Sequence, residues 1–322
     1  MSSKHNSTDS TGNDKTSQIL VRAISYPLSA VIIFANLFII TGIICNRKLH
    51  NTTNYFFLSL LLADIGMGIA LPFISSLSLQ HEVDFVSCLA LYICPNFFFL
   101  SLLFNLVMVH YERYQCIIYP LHYRQKWVNR CFFLALASVW ILPLCFASLP
   151  AFGWNDWKEY NESEVCSYKV VFQTAFVYLE VYGIVIPAIL SIIYMTGKIM
   201  WVARRQLKII CKFHRAVKRD QPSEEERKMN LRYAKNLVSL TLIFIVFWVP
   251  YIVFIHVSLD AMRNGKDDPK KQIIFSSVGI GSMALIPLVL GIGNHQYTAP
   301  IQNIFYKLKD RCVKKKDTDI QL

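Results

Sequence analysis

Charged side chains are scarce in this sequence of 322 residues. Asp, Glu, Lys and Arg together make up 17% of the chain, against about 25% in a typical soluble domain. Hydrophobic residues reach 54%, above the roughly 45–50% of soluble domains. The composition therefore argues against an ordinary soluble domain and predicts a membrane protein.

Clustered metal-ligating and catalytic residues are also lacking. The nine cysteines are scattered and show no CxxC spacing, which excludes a zinc-ligand set and a disulfide-rich scaffold. Asp64, Glu180 and His256 are too dispersed in the sequence to converge as an acid–base or metal set. We therefore predict that the chain is not an enzyme and that it binds no metal and no cofactor.

The start of the chain lacks the features of a cleaved signal peptide. Residues 1–17 are polar, without the basic start and short apolar core of such a signal. The first apolar run, which begins near Ile19, is expected to direct membrane insertion itself.

Long apolar runs are what the sequence has in abundance. Each is of spanning length or longer, and they lie at about residues 19–45, 54–79, 85–118, 131–152, 170–202, 234–259 and 272–293. Only helices and closed barrels satisfy the backbone in lipid, and barrel strands would be shorter and alternating. The sequence predicts an all-α membrane protein, a seven-transmembrane helix bundle over residues 19–300, with a short amphipathic helix and tail at 301–322.

Basic residues favour one side of the predicted bundle. They concentrate in the loops after the first, third and fifth runs and in the tail, whereas the opposite loops are acidic or mixed. Because basic loops stay in the cytoplasm, we predict a multi-pass plasma-membrane protein with residues 1–18 outside and the C-terminus inside. The net charge of +12 then follows from a cytoplasmic membrane face, with the lipid bilayer and not nucleic acid as partner.

Several covalent features follow from this orientation. Cys88 and Cys166 both face an oxidising compartment, so a disulfide between them is predicted, with two free outer thiols as the alternative. Asn6 and Asn161 lie in outward-facing Asn-x-Ser/Thr sequons and are candidate glycosylation sites. Cys312, at the end of the amphipathic segment, is a candidate for acylation.

The third run carries a cysteine at one end and a charged pair at the other. A helix from Cys88 to Arg113 extends about 37 Å at ~1.5 Å per residue, enough to cross a bilayer with tilt. Charges at a membrane boundary are costly unless they are paired or hydrated. We interpret Glu112 and Arg113 as a switch: the two attract each other at rest, and an incoming partner recruits Arg113 when the bundle opens.

Acidic residues inside the runs mark two further positions. At its depth Asp64 needs a cation or hydrogen-bond donors, and the alternative is a protonated Asp64 bonded to Asn36 and Asn294. A Glu180 that burial keeps protonated donates a hydrogen bond to a ligand hydroxyl, and the alternative is a Glu180 that reaches the outer interface. In the sixth run Trp248 lies close to Pro250, and because proline kinks a helix this region is a predicted moving part.

Several of these residues occur in a recognisable order. The sequence resembles the rhodopsin-like family of G protein-coupled receptors in Asn36, Leu62-Ala63-Asp64, Cys88, Glu112-Arg113-Tyr114, Trp140, Pro187 and Trp248-Val249-Pro250. The resemblance implies a receptor that binds a ligand among its spans and docks a heterotrimeric G protein. It also implies that Glu112, Arg113, Tyr114 and Tyr297 form the G-protein switch.

Within that family the sequence is most similar to the bile acid receptors. The stretches that carry this similarity include Pro95-Asn96-Phe97, Phe146-Ala147-Ser148-Leu149-Pro150-Ala151, Gly153-Trp154-Asn155, Tyr178-Leu179-Glu180-Val181-Tyr182-Gly183 and Tyr297-Thr298-Ala299-Pro300. The similarity implies a steroid-like amphipathic ligand, coupling to the stimulatory G protein and a rise in cyclic AMP. It implies a ligand pocket of Tyr92, Asn96, Phe99, Glu180, Trp248 and Tyr251.

Some family features are absent, and other functions remain to be weighed. Gly293 and Leu102 stand where polar partners of a sodium ion are common in the family, so no ion is predicted at Asp64.

A light sensor needs a lysine in the seventh run, and none lies between Lys271 and Lys307. A transporter would favour internal repeats. The alternative that remains is a rhodopsin-like receptor for another lipid or sterol, coupled to a different G protein.

Overall fold

The computed structural model of the chain describes residues 7–77, 83–119, 131–157, 166, 168–214, 224–263, 269–293 and 297–298. Four predictions lie outside these residues. They concern the sequons at Asn6 and Asn161, the acylation site at Cys312 and the amphipathic helix of the segment 301–322.

The described chain is a bundle of long helices. In chain order they are α1 (Ser7–Cys45), α2 (Thr52–Leu77), α3 (Phe85–Ile118), α4 (Phe132–Ala147), α5 (Tyr168–Val171), α6 (Thr174–Tyr178), α7 (Ile186–His214), α8 (Glu224–Arg263) and α9 (Pro269–Gly293). A π-helical segment, Leu179–Val185, joins α6 to α7 without interruption. Short 3₁₀ helices lie at Arg47–Leu49 and Leu149–Phe152.

Six of these helical stretches are long and apolar enough to cross a membrane. They are Val21–Cys45, Thr52–Leu77, Phe85–Ile118, Thr174–Arg205, Ala234–Ser258 and Ile274–Gly291, and α4 is a shorter apolar helix. The predicted all-α fold with a seven-helix bundle is therefore confirmed. The fourth and fifth predicted runs are divided differently: α4 ends at Ala147 before a 3₁₀ turn, and the fifth span begins only at Thr174.

Helix α3 is the centre of the bundle, and it begins at a defined cap. The Asp84 side chain accepts a hydrogen bond from the Ser87 backbone N–H, at 3.3 Å, which satisfies one of the free donors of the first turn. Hydrogen bonds from the Ser87 hydroxyl and then from its backbone N–H lower the pKa of Asp84 from its usual value. From there α3 packs against α2, α4 and α7, and it buries Leu100, Leu103 and Val109 in the main apolar core.

A disulfide ties the start of α3 to the segment that precedes α5. Cys88 and Cys166 are bonded, with their Cα atoms 5.7 Å apart, so the predicted pairing is confirmed and the alternative of free thiols is wrong. A second apolar cluster, which includes Phe172 and Phe176, packs around Cys88. We call this end of the bundle the disulfide end. The opposite end, which contains Arg113, is called the Arg113 end.

Candidate functional site

The predicted pocket residue Glu180 lies in the π-helical segment near the disulfide end. Only 8% of its surface is exposed, and its Oε2 accepts a hydrogen bond from Asn96 Nδ2 at 3.4 Å. In a π segment the backbone bonds from i to i+5, and such segments often occur at functional sites. Pro187, just beyond the segment, has no N–H to continue the regular α-helical pattern, and it was the sequence signal for this irregularity.

Three tyrosines pack at the same end of the bundle as Glu180. Tyr92, one helical turn before Asn96 on α3, makes an edge-on contact with Tyr168 at a ring separation of 6.0 Å. Burial raises the pKa of Tyr168 well above its usual value, and its electrostatic interactions with Tyr251, Glu180 and Tyr92 add to the effect. Tyr92, Tyr168 and Tyr251 all pack against the second apolar cluster at the disulfide end.

A second part of the predicted pocket is built around Trp248. Its ring centroid lies 4.5 Å from that of Phe99 and 6.1 Å from that of Tyr251. Its indole Nε1 donates to Ser282 Oγ at 2.8 Å, and a Cβ added at Gly279 would lie 3.1 Å from the indole ring. The structure thus brings the predicted pocket residues together in two groups, Asn96 with Glu180 and Phe99 with Trp248 and Tyr251. Tyr92 and Tyr251 both pack against the second apolar cluster. Sequence reasoning missed Ser282 and Gly279, which hold Trp248 from the neighbouring helix α9.

At the opposite end, Glu112 and Arg113 form the predicted pair. Arg113 Nε lies 3.6 Å from Glu112 Oε2, and Glu112 is fully buried. The Thr53 hydroxyl of α2 lies 2.8 Å from each Glu112 oxygen. A hydrogen bond to a charged group is among the stronger ones in proteins, so Thr53 holds Glu112 beside Arg113. Sequence reasoning did not single out Thr53.

Three helices meet at a buried polar junction formed by His110, Thr196 and Thr241. His110 Nε2 lies 2.9 Å from Thr241 Oγ1, and Thr241 Oγ1 lies 3.2 Å from Thr196 Oγ1. His110 Nδ1 faces the Leu106 carbonyl at 2.7 Å. Because a carbonyl only accepts, Nδ1 donates to it. The Thr241 hydroxyl donates to the Leu237 carbonyl of its own helix at 2.9 Å. The His110 junction therefore connects α3, α7 and α8 by hydrogen bonds. The sequence signal was a histidine within an apolar run.

Tyr297 is held at the same end. Its hydroxyl donates to Asn54 Oδ1 at 2.8 Å, and Asn54 Nδ2 donates to the Leu49 carbonyl at 2.7 Å. The backbone of α1 at Gly42 approaches so closely that an added Cβ would collide with the Tyr297 carbonyl. The fully buried Tyr297 is thus fixed against both α1 and α2.

The buried carboxylate of Asp64 does not take the predicted partner Asn36. Asn36 Nδ2 donates instead to the carbonyls of Ile32, at 2.8 Å, and Met283, at 3.1 Å. Among the described residues, neither Asp64 oxygen has a hydrogen-bond partner. Asn294, the other proposed partner, lies outside them. Within the same ranges no group of three or more His, Cys, Asp or Glu is placed to hold a metal ion.

Comparison with known proteins identifies the class that this geometry belongs to. Residues 35–288 match the 7 transmembrane receptor (rhodopsin family), and the chain belongs to this family of G protein-coupled receptors. It is therefore a multi-pass membrane receptor and not an enzyme.

Individual proteins that resemble this chain give a more specific comparison than the family does. The chain is 40% identical over 279 residues to the G-protein coupled bile acid receptor 1 of Oryctolagus cuniculus, covering 86% of this chain and 82% of that protein. The human protein of the same name is 39% identical over 279 residues, with the same coverage. The human adenosine receptor A2b is 28% identical over 273 residues, 80% of each chain.

Proposed function

We propose that this chain is a receptor for bile acids or related steroids that signals through the stimulatory G protein and raises cyclic AMP. The observation that carries the proposal is the buried Glu180, hydrogen-bonded to the half-buried Asn96, at the end of the bundle where Tyr92 and Tyr251 pack. Relatives that cover most of the chain are named as bile acid receptors, which supports the same class of ligand.

The chemistry of the cluster suits a flat amphipathic ligand. Tyr92, Phe99 and Tyr251 offer ring faces and edges against which an apolar body packs, and a small number of polar groups fixes its orientation. Glu180 has a single hydrogen bond among the described residues, and it is a long one. The remaining hydrogen-bonding capacity of Glu180 and Asn96 is available to the hydroxyl groups of a steroid.

The signal would travel through Trp248 to the Arg113 end. A ligand that contacts Tyr251 and Phe99 alters the packing of Trp248, which lies two residues before Pro250 in α8. A shift of α8 must break the hydrogen bond between Thr241 and His110. Separation of α8 from α3 would then free Arg113 for the G protein, with Glu112, Tyr114 and Tyr297 as the other members of the switch.

The proposed arrangement in the membrane follows the basic loops. Residues 1–18 form an extracellular tail, 19–300 the receptor domain, and 301–322 an amphipathic helix and cytoplasmic tail. Asn6 and Asn161 are then glycosylated on the outer side, and Cys312 is acylated on the inner side.

The proposal is tested by measuring cyclic AMP in cells that express the chain, over a panel of bile acids and bile alcohols. We expect a dose-dependent rise that Glu180→Gln and Tyr251→Ala weaken. The matched control is Tyr178→Ala, since Tyr178 is an exposed tyrosine of the span that contains Glu180. A chain that reaches the cell surface but responds to no steroid would refute the ligand class. A response to steroids without cyclic AMP would refute the coupling alone.

A further inference from the structure

One face of α7 carries an alternating series of aromatic and cationic side chains that the proposed receptor function does not use. Tyr194, Lys198, Trp201 and Arg205 follow at intervals of four, three and four residues. At about 100° per residue, all four lie within roughly 60° of one another around the helix axis. They extend over about 16 Å of helix at ~1.5 Å per residue. We call this set the cation–aromatic stripe.

The stripe faces outward from the bundle. Trp201 is 58% exposed and Tyr194 is 57% exposed, and Lys198 and Arg205 are exposed as well. Among the described residues, a Cβ added at Gly197 would meet nothing within 4 Å, so this part of the chain leaves the space beside the stripe open. The apolar span of which α7 is a part runs from Thr174 to Arg205, so the stripe occupies its last turns. In a membrane, lipid covers this face.

The two cations lie against aromatic rings that are nearer the middle of the span. Lys198 Nζ lies over the Tyr194 ring, 5.7 Å from its centroid, and Arg205 Cζ lies over the Trp201 ring at 5.4 Å. Each ring is one turn nearer the centre of the membrane than its cation. A ring face compensates only part of the cost of a charge at that depth. An anion at the level where lipid headgroups meet the acyl chains supplies further compensation, beside interfacial water.

No protein anion supplies it within the described chain. Helix α7 contains no Asp or Glu, and among the described residues no carboxylate pairs with Lys198 or Arg205. The exposed Arg204 adds a third cation at the same end. A surface of one charge sign with interfacial Trp and Tyr is complementary to an anionic headgroup.

We propose that the cation–aromatic stripe of α7 is a binding site for an anionic phospholipid. The lipid phosphate lies between Lys198 and Arg205, and one acyl chain lies along Gly197 toward Leu190, whose side chain is exposed on the same face. The assignment to the cytoplasmic leaflet, which is rich in anionic lipid, rests on the proposed orientation.

The site borders the switch at the Arg113 end. The Tyr194 ring, over which Lys198 lies, is 6.4 Å from the ring of Tyr114, which follows Arg113 directly. A lipid that draws Lys198 away from Tyr194 therefore acts on a residue in contact with the switch.

The test measures lipid binding alone, so its failure is distinguishable from failure of the receptor function. The purified full chain in detergent is titrated with dioleoyl phosphatidylserine or dioleoyl phosphatidylcholine, and bound lipids are counted by native mass spectrometry. We expect the wild type to prefer phosphatidylserine. Because each cation near a membrane surface contributes roughly a factor of five, Lys198→Gln with Arg205→Gln should lower that preference at least about five-fold.

Matched variants distinguish the loss of the site from a change in net charge and from misfolding. Lys235→Gln, at an exposed lysine of α8, removes one charge at the same end and should retain most of the preference. The exchange Lys198→Arg with Arg205→Lys keeps both charges and should also retain it, whereas Trp201→Leu should lower it less than the double Gln variant. The proposal is overturned if the wild type shows no preference or the double Gln variant retains it. It is also overturned if soluble glycerophosphoserine competes as well as the lipid does.

Discussion

The two ends of the bundle differ in how completely their buried polar groups are paired. At the disulfide end, the described residues give Glu180 one long hydrogen bond, 3.4 Å from Asn96. At the Arg113 end, Glu112 lies 2.8 Å from the Thr53 hydroxyl through both oxygens. Polar groups that are incompletely paired leave capacity for a ligand, whereas paired groups must be separated before they bind anything else.

This difference predicts which property of the receptor a substitution changes at each end. Changes at the disulfide end should alter the response to ligand and leave the resting state in place. Changes at the Arg113 end should alter the resting activity and leave ligand recognition in place. The predictions below follow this contrast from the largest expected effect to the smallest.

Removal of the disulfide should have the largest effect. The bond closes a loop between residues 78 positions apart, and a cross-link of that length contributes roughly 4 kcal/mol to stability. We expect Cys88→Ser to lower the thermal unfolding midpoint of the purified receptor and to weaken ligand binding. Cys145→Ser, at an exposed free cysteine, is the control. An unchanged midpoint in Cys88→Ser would show that the disulfide end is held by packing alone.

Thr53→Val should raise the activity without ligand. The substitution keeps the size of the side chain and removes the only hydroxyl group that α2 offers to Glu112 among the described residues. A hydrogen bond to a charged group contributes about 1.5–3 kcal/mol, so basal cyclic AMP should increase by roughly ten-fold or more. Thr41→Val is the control, because within the described ranges the Thr41 hydroxyl bonds only to the Leu37 carbonyl of its own helix. Equal basal activity in the two variants would exclude the proposed role of Thr53.

Much of this contrast was predictable from the sequence, but its hydrogen bonds were not. Helix α3 has the predicted bounds because Asp84 caps a continuous apolar run. The pairing of Cys88 with Cys166 followed from the placement of both on one side of the membrane. The contacts of Thr53 and of His110 depend on which helices are neighbours and how they are rotated, and hydrophobic periodicity in one sequence does not determine either.

Gly279→Ala should alter the ligand response through Trp248. The added methyl group would lie 3.1 Å from the indole ring, so the ring must move by a few tenths of an ångström, at a cost of about 1–3 kcal/mol. The matched control is Gly281→Ala on the same helix, where nothing lies within 4 Å of the added carbon. We expect the first variant, and not the second, to change the maximal cyclic AMP response. Identical dose–response curves would exclude Trp248 as the moving part.

Thr241→Val should have the smallest effect of the four. It removes the hydroxyl that lies 2.9 Å from His110 Nε2, and a neutral hydrogen bond contributes about 1 kcal/mol. Basal cyclic AMP should rise by roughly five-fold or less. Thr196→Val, which removes a longer contact of 3.2 Å, should raise it less. A larger effect of Thr196→Val would show that the contact of Thr196 with Thr241, and not that of His110 with Thr241, restrains the resting state.

The most direct test compares Glu180→Gln with Thr53→Val in the same cells, with basal and bile acid-stimulated cyclic AMP measured together. The contrast between the two ends predicts that Glu180→Gln shifts the dose–response curve to roughly ten-fold higher ligand concentration at unchanged basal activity. It predicts that Thr53→Val raises basal activity at unchanged or higher ligand potency. If both variants change the same quantity in the same direction, the two ends do not divide recognition and switching between them.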